Sequence, residues 1–166
     1  MPDKIKVGMA DWKIGRSNDI LVTFGLGSCV ALALYNGEER LAAMAHIMLP
    51  DSKLIRFRQD INEAKFADTA VPAMIAEMAR LGFPKESFAA KLVGGANMFT
   101  FASKVGAGGT MNVGQRNVGA VKEELARQGI KLLAEDTGGT SGRSVEFYAA
   151  NGVLRIRTAM FGEKEI

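Results

Sequence analysis

Cysteine and histidine are almost absent from this sequence, which contains one of each, Cys29 and His46, in 166 residues. One cysteine cannot close an internal disulfide. One cysteine and one histidine cannot supply the three or four nitrogen and sulfur ligands that a zinc site needs. These two counts exclude a disulfide scaffold, a structural zinc site and CxxC redox chemistry.

Long hydrophobic runs are also missing. No apolar run approaches the roughly 20 residues of a membrane-spanning helix. Residues 1–6 are not followed by an apolar segment of signal-peptide length. We therefore expect a soluble, cytoplasmic protein without membrane insertion.

Aromatic side chains and excess charge are limited. Two tyrosines and one tryptophan are available to stack on bases, and 21 Lys and Arg against 18 Asp and Glu give a net charge of +3. Because the positive charge is spread along the chain, no nucleic-acid binding is expected. A mild positive bias favours docking to an acidic partner.

Apolar residues, by contrast, are plentiful enough for one core. They make up 48% of the chain, and a protein of this length buries roughly two-thirds of its unfolded surface on folding. We therefore expect residues 1–166 to form a single domain. Strand segments surround a pair of helical segments, which favours the α+β class over a regular βαβ alternation.

The spacing of apolar residues and the turn signals predict the individual elements. The first strands should form a small meander, and Pro72 requires that its helix begin a few residues earlier. Asn151 and Gly152 predict a hairpin. Strands are predicted at residues 20–24, 29–35, 40–49, 90–93, 131–135, 145–149 and 153–158, helices at 66–81 and about 114–128, and glycine-rich loops at 106–109 and 138–142.

The single thiol and the single imidazole fall on the two strands of one predicted hairpin. A four-residue loop at 36–39 places Cys29 directly opposite His46, whereas a two-residue turn at Asn36 and Gly37 makes them diagonal neighbours. In both registers their Cβ atoms share a face, roughly 5 to 8 Å apart. A three-residue loop would place them on opposite faces.

The alternation of bulky and small side chains favours the registers in which the two residues share a face. Only these registers align the bulky side chains of both strands. One face then holds Val30, Leu32 and Leu34 with Leu41, Ala43, Ala45 and Ile47, and the other holds Cys29, Ala31 and Ala33 with Met44, His46 and Met48.

The turn before Cys29 adds to this pattern. Gly25 and Gly27 allow positive φ and close backbone approach, so that N–H groups near Gly27, Ser28 and Cys29 can converge on an oxyanion. Thr23, a polar residue among apolar neighbours, can orient the imidazole through its hydroxyl. A thiol, a base and an orienting group are the elements of nucleophilic cysteine catalysis. The alternative interpretation is an inert core cysteine beside a structural histidine.

Other glycine-containing segments carry weaker signals. The Gly-x-Gly pair is not a dinucleotide fingerprint, because Val30 occupies the third glycine position and a strand follows. Arg143, in a glycine-rich loop, is a candidate anion ligand. Asn97, Arg116 and Asn117 lie next to glycines and are candidates for the border of a cleft.

Seven segments carry a family resemblance: residues 23–30 (TFGLGSCV), 43–52 (AMAHIMLPDS), 65–71 (KFADTAV), 94–98 (GGANM), 112–117 (NVGQRN), 135–139 (EDTGG) and 142–144 (GRS). In these segments the sequence resembles CheD, the chemoreceptor glutamine deamidase family of bacterial and archaeal chemotaxis. The resemblance is collinear over almost the whole chain.

This resemblance implies an α+β fold with a mixed β-sandwich core flanked by helices, similar to the cysteine-dependent deamidase toxins. It implies Cys29 as nucleophile, His46 as base and Thr23 as the third member of a triad, with no metal or organic cofactor. The implied reaction converts receptor glutamine side chains to glutamate through a cysteine thioester and releases ammonia.

The implied partners are methyl-accepting chemotaxis receptors, as substrate, and the CheC phosphatase; we expect the protein to be a monomer. Two other function classes use the same residues. A non-catalytic adaptor would bind receptors or CheC through this surface. A transglutaminase or thiol protease would use the same thiol on a different acyl acceptor or bond.

Overall fold

Ten strands and two helices are present in the residues that the computed structural model describes, which are 3–55, 61–98 and 112–166. The predicted glycine-rich loop at 106–109 lies outside these residues. In chain order the elements are β1 (Lys4–Lys6), β2 (Asp11–Arg16), β3 (Ile20–Leu26), β4 (Val30–Asn36), β5 (Leu41–Ile47), α1 (Ala67–Arg80), β6 (Ala89–Gly94), α2 (Val113–Gln128), β7 (Lys131–Thr137), β8 (Arg143–Tyr148), β9 (Leu154–Thr158) and β10 (Gly162–Glu165).

The strands form two five-stranded sheets. Sheet 1 has the order β1-β3-β8-β9-β10 and sheet 2 the order β2-β5-β4-β6-β7. Each sheet contains one parallel pair, β1 with β3 and β6 with β7, and the other neighbours are antiparallel. The predicted α+β fold with a mixed β-sandwich core is therefore confirmed.

Sheet 2 is the central layer, between sheet 1 and the two helices. Alternate residues of β4 point to opposite sides, as the two-residue period of a strand requires. Leu32 belongs to a buried cluster with Met74 of α1 and Leu125 of α2, whereas Ala31 belongs to a second cluster with Phe147 of sheet 1. Bulky side chains thus face the helices, and small side chains face the other sheet.

The β4–β5 hairpin confirms the predicted face sharing but not the predicted registers. Ala31 lies opposite His46 and Asn36 lies opposite Leu41, so the four-residue loop is 37–40 rather than 36–39. The shift arises because Asn36 remains in the strand, where its side chain accepts a hydrogen bond from the Glu39 N–H at 3.2 Å. Cys29, one residue before β4, is consequently a diagonal neighbour of His46.

The predicted meander of the first strands is wrong. β3 pairs with β1 and β8 in sheet 1, while β4 and β5 belong to sheet 2. The chain crosses between the sheets after Leu26. The preceding residue, Gly25, has a φ of +69°, a conformation that glycine adopts without steric cost. The residues that the sequence places side by side in one sheet therefore come from two sheets that face each other.

Both predicted helices are confirmed. α2 begins with a reciprocal capping box between Asn112 and Gln115 and ends at Gly129, which has φ +73°. α1 begins at Ala67, so Pro72 is its sixth residue and lies beyond the first-turn positions whose N–H groups need no partner. No helix in the described part of the chain has the length and apolar character needed to span a membrane.

Candidate active site

Cys29 lies at the end of the short connection between the two sheets. The carbonyl oxygens of residues 27–29 all accept hydrogen bonds: from the Ala96 N–H at 2.8 Å, the Asn117 side-chain amide at 2.8 Å and the Gly95 N–H at 2.9 Å, in that order. The carbonyls of the three residues before β4 are thus held by hydrogen bonds from α2 and from the turn after β6. The backbone around the thiol is fixed although it belongs to neither strand.

The turn that follows β6 brings the backbone close to Cys29. Gly94 has a φ of +115°, and a Cβ at this position would collide with the Cys29 carbonyl oxygen. At Gly114 in α2, a Cβ would lie 2.5 Å from the Gly95 oxygen. Glycine is therefore required on both sides of this contact, and α2 reaches the loop that carries Cys29, residues 27–29, through it.

Two backbone donors beside the thiol make no hydrogen bond to another described residue. The N–H groups of Ser28 and Cys29 donate to no other residue within 3–55, 61–98 and 112–166. These groups can bind negative charge that develops on a reacting oxygen.

His46 projects from β5 into the space between the sheets. It is fully buried, and so is Thr23, which reaches it from β3 across the sandwich. The distance between Thr23 Oγ1 and His46 Nδ1 is 2.8 Å. Thr23 Oγ1 also donates to the Val7 carbonyl oxygen, at 2.8 Å.

These two contacts select one tautomer of the imidazole. A threonine hydroxyl has one proton, and a carbonyl oxygen can only accept. Because Thr23 donates its proton to Val7, it must accept from Nδ1–H of His46. The lone pair then resides on Nε2, which is buried and has no hydrogen-bond partner among the described residues. The imidazole is thereby prepared to take a proton at Nε2.

The electrostatic environment favours uncharged forms of both groups. Burial raises the pKa of the Cys29 thiol, an effect that its own backbone N–H opposes in part. Burial lowers the pKa of His46 below its usual value of about 6.5. A neutral thiol and a neutral imidazole, rather than an ion pair, are therefore favoured in the free protein.

A cavity of about 570 Å³ opens onto Cys29. The thiol is half-buried in its wall, whereas His46 and Thr23 lie beneath the surface. Its rim contains Met98 and Val113, whose side chains are 52% and 38% exposed. The cavity is lined by Gly25, Gly27, Ser28, Cys29, Ala96, Asn97, Met98, Asn112, Val113, Gly114 and Arg116.

The residues with weaker sequence signals differ in whether they border the cavity. Asn97 and Arg116 line the cavity, as expected for residues that border a cleft. Arg143 is largely buried and lies 3.2 Å from a carboxylate oxygen of Asp136, so an internal carboxylate already occupies its guanidinium. The described residues contain no cluster of three or more His, Cys, Asp or Glu side chains suited to hold a metal ion.

Two parts of the site were not assigned from the sequence. The Val7 carbonyl, which fixes the Thr23 proton, carries no side-chain signal. Asn117 had a signal, because it stands in the segment NVGQRN beside glycine, but nothing in one sequence could place it beneath Ser28. Both contacts depend on packing between elements that are distant in the chain.

Comparison with known proteins gives a consistent result. Residues 48–158 match the protein family described as CheD chemotactic sensory transduction. The chain is 47% identical over 166 residues to the chemoreceptor glutamine deamidase CheD of Halalkalibacterium halodurans, with both chains covered completely. It is 45% identical over 163 residues to the probable chemoreceptor glutamine deamidase CheD of Clostridium botulinum, with 98% of each chain covered.

Proposed function

This chain belongs to the CheD family and deamidates glutamine side chains of chemoreceptors, and we propose that Cys29 is the nucleophile, His46 the base and Thr23 the residue that orients His46. The observation that carries this assignment is the tautomer of His46. Thr23 holds the proton of the ring on Nδ1 and leaves Nε2 unpartnered among the described residues, and the strand register makes His46 a diagonal neighbour of the single thiol.

The first half of the reaction transfers the acyl group to sulfur. His46 Nε2 takes the thiol proton as Cys29 Sγ attacks the amide carbon of the glutamine side chain, and the C–S bond forms while the carbonyl oxygen becomes an oxyanion. The imidazolium then returns the proton to the amide nitrogen. The C–N bond breaks, ammonia leaves, and a thioester remains on Cys29.

The second half consumes one water molecule. His46 takes a proton from water, the resulting hydroxide attacks the thioester carbon, and the C–S bond breaks. The thiolate recovers the proton from His46. Glutamine and water become glutamate and ammonia, and no metal or organic cofactor takes part.

The unused N–H groups of Ser28 and Cys29 are the proposed oxyanion donors, and Gly27 allows the backbone turn that presents them. Their direction is fixed because the carbonyls of residues 27–29 are all hydrogen-bonded. A prealigned donor of this kind contributes about 3 kcal/mol of transition-state stabilisation in other acyl-transfer enzymes. The half-buried thiol at the cavity wall gives a glutamine side chain access from solvent.

A neutral Cys29 thiol and a neutral His46 imidazole in the free enzyme are consistent with this cycle. Since burial disfavours both the thiolate and the imidazolium, proton transfer accompanies attack on the substrate instead of preceding it. The free enzyme then exposes little thiolate to unrelated electrophiles. Its unpaired cysteine also suits a reducing compartment, and we place the reaction in the cytoplasm.

The CheC phosphatase is the proposed second partner, and the opening around Cys29 is the proposed contact surface. The exposed apolar side chains Met98 and Val113 on the rim support a binding role for this surface in addition to catalysis. We propose that the protein acts as a monomer. A Met98→Glu variant with normal thermal stability should then lose both receptor-fragment and CheC binding; retention of both would contradict a shared surface.

The nucleophile is tested with a glutamine-bearing receptor fragment, by ammonia release and by the mass of the peptide. Cys29→Ala should lower kcat by at least about a thousandfold, as loss of a nucleophile does in comparable enzymes. Cys29→Ser, which preserves shape, is the matched variant and should be nearly as inactive. Turnover at the normal rate in a folded Cys29→Ala protein would remove Cys29 from the mechanism. Unchanged turnover in His46→Gln would remove the base.

A further inference from the structure

Asn117 connects the two halves of the candidate site through one side chain. It projects from α2 and is fully buried. Its Nδ2 donates to the Ser28 carbonyl oxygen at 2.8 Å and to the Met48 carbonyl oxygen at 3.0 Å. Ser28 precedes the thiol, and Met48 follows His46 by two residues, so one amide group contacts the backbone on both sides of the Cys29–His46 pair.

The contact with Ser28 determines the direction of a neighbouring N–H group. The Ser28 carbonyl and the Cys29 N–H belong to the same planar peptide, and the described part of the chain contains no cis peptide bond. In a trans peptide these two groups point in opposite directions. An amide that holds the Ser28 oxygen toward α2 therefore aims the Cys29 N–H away from α2. A hydrogen bond to the carbonyl also polarises the peptide and makes its N–H a stronger donor.

The chemistry of the asparagine matches the two acceptors. A side-chain amide has two N–H protons on one nitrogen, and Asn117 directs one to each carbonyl. Its Oδ1 is buried and has no partner among the described residues. A side chain that only filled space would avoid a buried acceptor of this kind, because an unpaired polar atom is unfavourable in a protein interior. The position of the Asn117 amide is therefore explained by the two hydrogen bonds that its N–H groups donate.

We propose that Asn117 is a positioning residue for deamidation. Its amide aligns the Cys29 N–H with the oxyanion. It also holds the loop at residues 27–29 at a fixed distance from the strand that carries His46. This inference rests on the proposed role of Cys29. Asn117 does not touch the substrate. It acts through the Ser28–Cys29 peptide, so its loss should impair the chemical step and leave receptor binding intact.

Replacement of Asn117 by Asp preserves size and removes both donors at neutral pH. We expect kcat to fall by about 10- to 100-fold, the range for loss of a residue that orients a reacting group, with KM for the receptor fragment within about twofold. A buried Asp regains one donor when it is protonated. The deficit of Asn117→Asp relative to wild type should therefore shrink as the pH is lowered from 7.5 to 5.5, with circular dichroism confirming that both proteins remain folded.

Asn36→Asp is the matched control. Asn36 is also buried, but its amide side chain serves the β4–β5 loop and lies outside the cavity lining. The Asn36→Asp enzyme should show a normal kcat throughout the same pH range. A folded Asn117→Asp or Asn117→Ser enzyme with wild-type kcat, or with raised KM alone, would overturn the inference. Activity in Cys29→Ala would instead overturn the proposed function, and so the two failures are distinguishable.

A measurement on the wild-type protein covers the case in which no Asn117 variant folds. A receptor peptide with an aldehyde in place of the glutamine amide forms a hemithioacetal with Cys29, whose oxygen occupies the oxyanion position. The ¹H resonance of the Cys29 N–H should move downfield on adduct formation, while the Asn117 amide protons remain protected from exchange with solvent. An unchanged Cys29 N–H resonance, or unprotected Asn117 protons, would contradict the positioning role.

Discussion

Thr23 has one hydroxyl proton, and the direction of that proton determines which ring nitrogen of His46, the single imidazole, is protonated. It donates to Val7 and accepts from His46 Nδ1, so it fixes both the tautomer and the ring orientation. An isolated polar residue in an apolar strand was enough to suggest this role from the sequence. The Val7 acceptor, which makes the tautomer unambiguous, required the parallel pairing of β1 with β3 to be known.

Replacement of Thr23 by Val should leave His46 free to adopt the other tautomer and ring orientations. We expect kcat to fall by about 10- to 100-fold, as for other residues that orient a reacting imidazole, with little change in KM. Thr23→Ser retains the hydroxyl and should keep most of the activity. Steady-state ammonia release checks both variants, and equal kcat in Val and Ser variants would show that the hydroxyl is dispensable.

At the scale of elements, glycine determines how closely β6, α2 and the loop at residues 27–29 approach one another. The glycines at 94, 95 and 114 form one contact in which the backbones of three segments touch. Helix periodicity could predict α2, and its predicted bounds nearly match those observed. No periodicity could reveal that the start of α2 rests on the turn after β6, because the close approach depends on glycine backbone at Gly94, Gly95 and Gly114.

Gly94→Ala should disrupt this contact. Its φ of +115° is unfavourable for alanine, and the new Cβ would collide with the Cys29 carbonyl. We expect a loss of at least about 2 kcal/mol in the free energy of unfolding and a loss of turnover in any protein that folds. Urea denaturation measures the first quantity and ammonia release the second.

Gly119→Ala is the matched control for that substitution. Gly119 lies on an exposed part of α2 with no atom near a new Cβ, and alanine favours helix by roughly 1 kcal/mol over glycine. This variant should be as stable as wild type or more so, with normal kcat. Equal stability of the two alanine variants would contradict the close approach at Gly94.

The strands that the sequence did not predict are all at or near sheet edges. β10 is entirely exposed and contains two glutamates and a lysine, and it pairs with β9 through Arg155–Glu165 and Arg157–Glu163 contacts. β1 has three residues, and both β1 and β2 carry charged residues. Edge strands need no hydrophobic face, so composition gives them little signal. The hairpin of β4 and β5 was predictable because both of its faces are buried.

At the scale of the whole molecule, the site spans the two layers of the sandwich. The sequence predicts that Cys29 and His46 share one face but wrongly predicts Thr23 in the same sheet. In the structure Thr23 approaches His46 from the facing sheet, because β3 belongs to sheet 1 and β5 to sheet 2. Local pattern predicts pairing within a hairpin well, whereas the choice between continuing a sheet and starting the opposite one depends on packing of the complete chain.

Burial of His46 between the sheets should make global stability depend on pH. Its pKa is lowered in the folded protein, so the unfolded chain binds a proton more readily once the pH falls below about 6.5. The contribution to stability is therefore complete above this pH and is lost as the pH falls toward the folded-state pKa. Urea unfolding of wild type between pH 7 and 5 should show a steeper decline than that of His46→Gln. Parallel declines would indicate that His46 is not responsible.

The hydrogen bond between Thr23 and His46 joins side chains that come from the two different sheets. Each sheet can retain its own backbone ladder while the side chains between the layers loosen, as happens in molten globules. In such a state the imidazole would lose its orienting partner although the strands persist. With Thr23 and His46 in their proposed roles, turnover should report the spacing between the two sheets, and a force or bound molecule that separates the sheets should stop turnover before any strand unfolds.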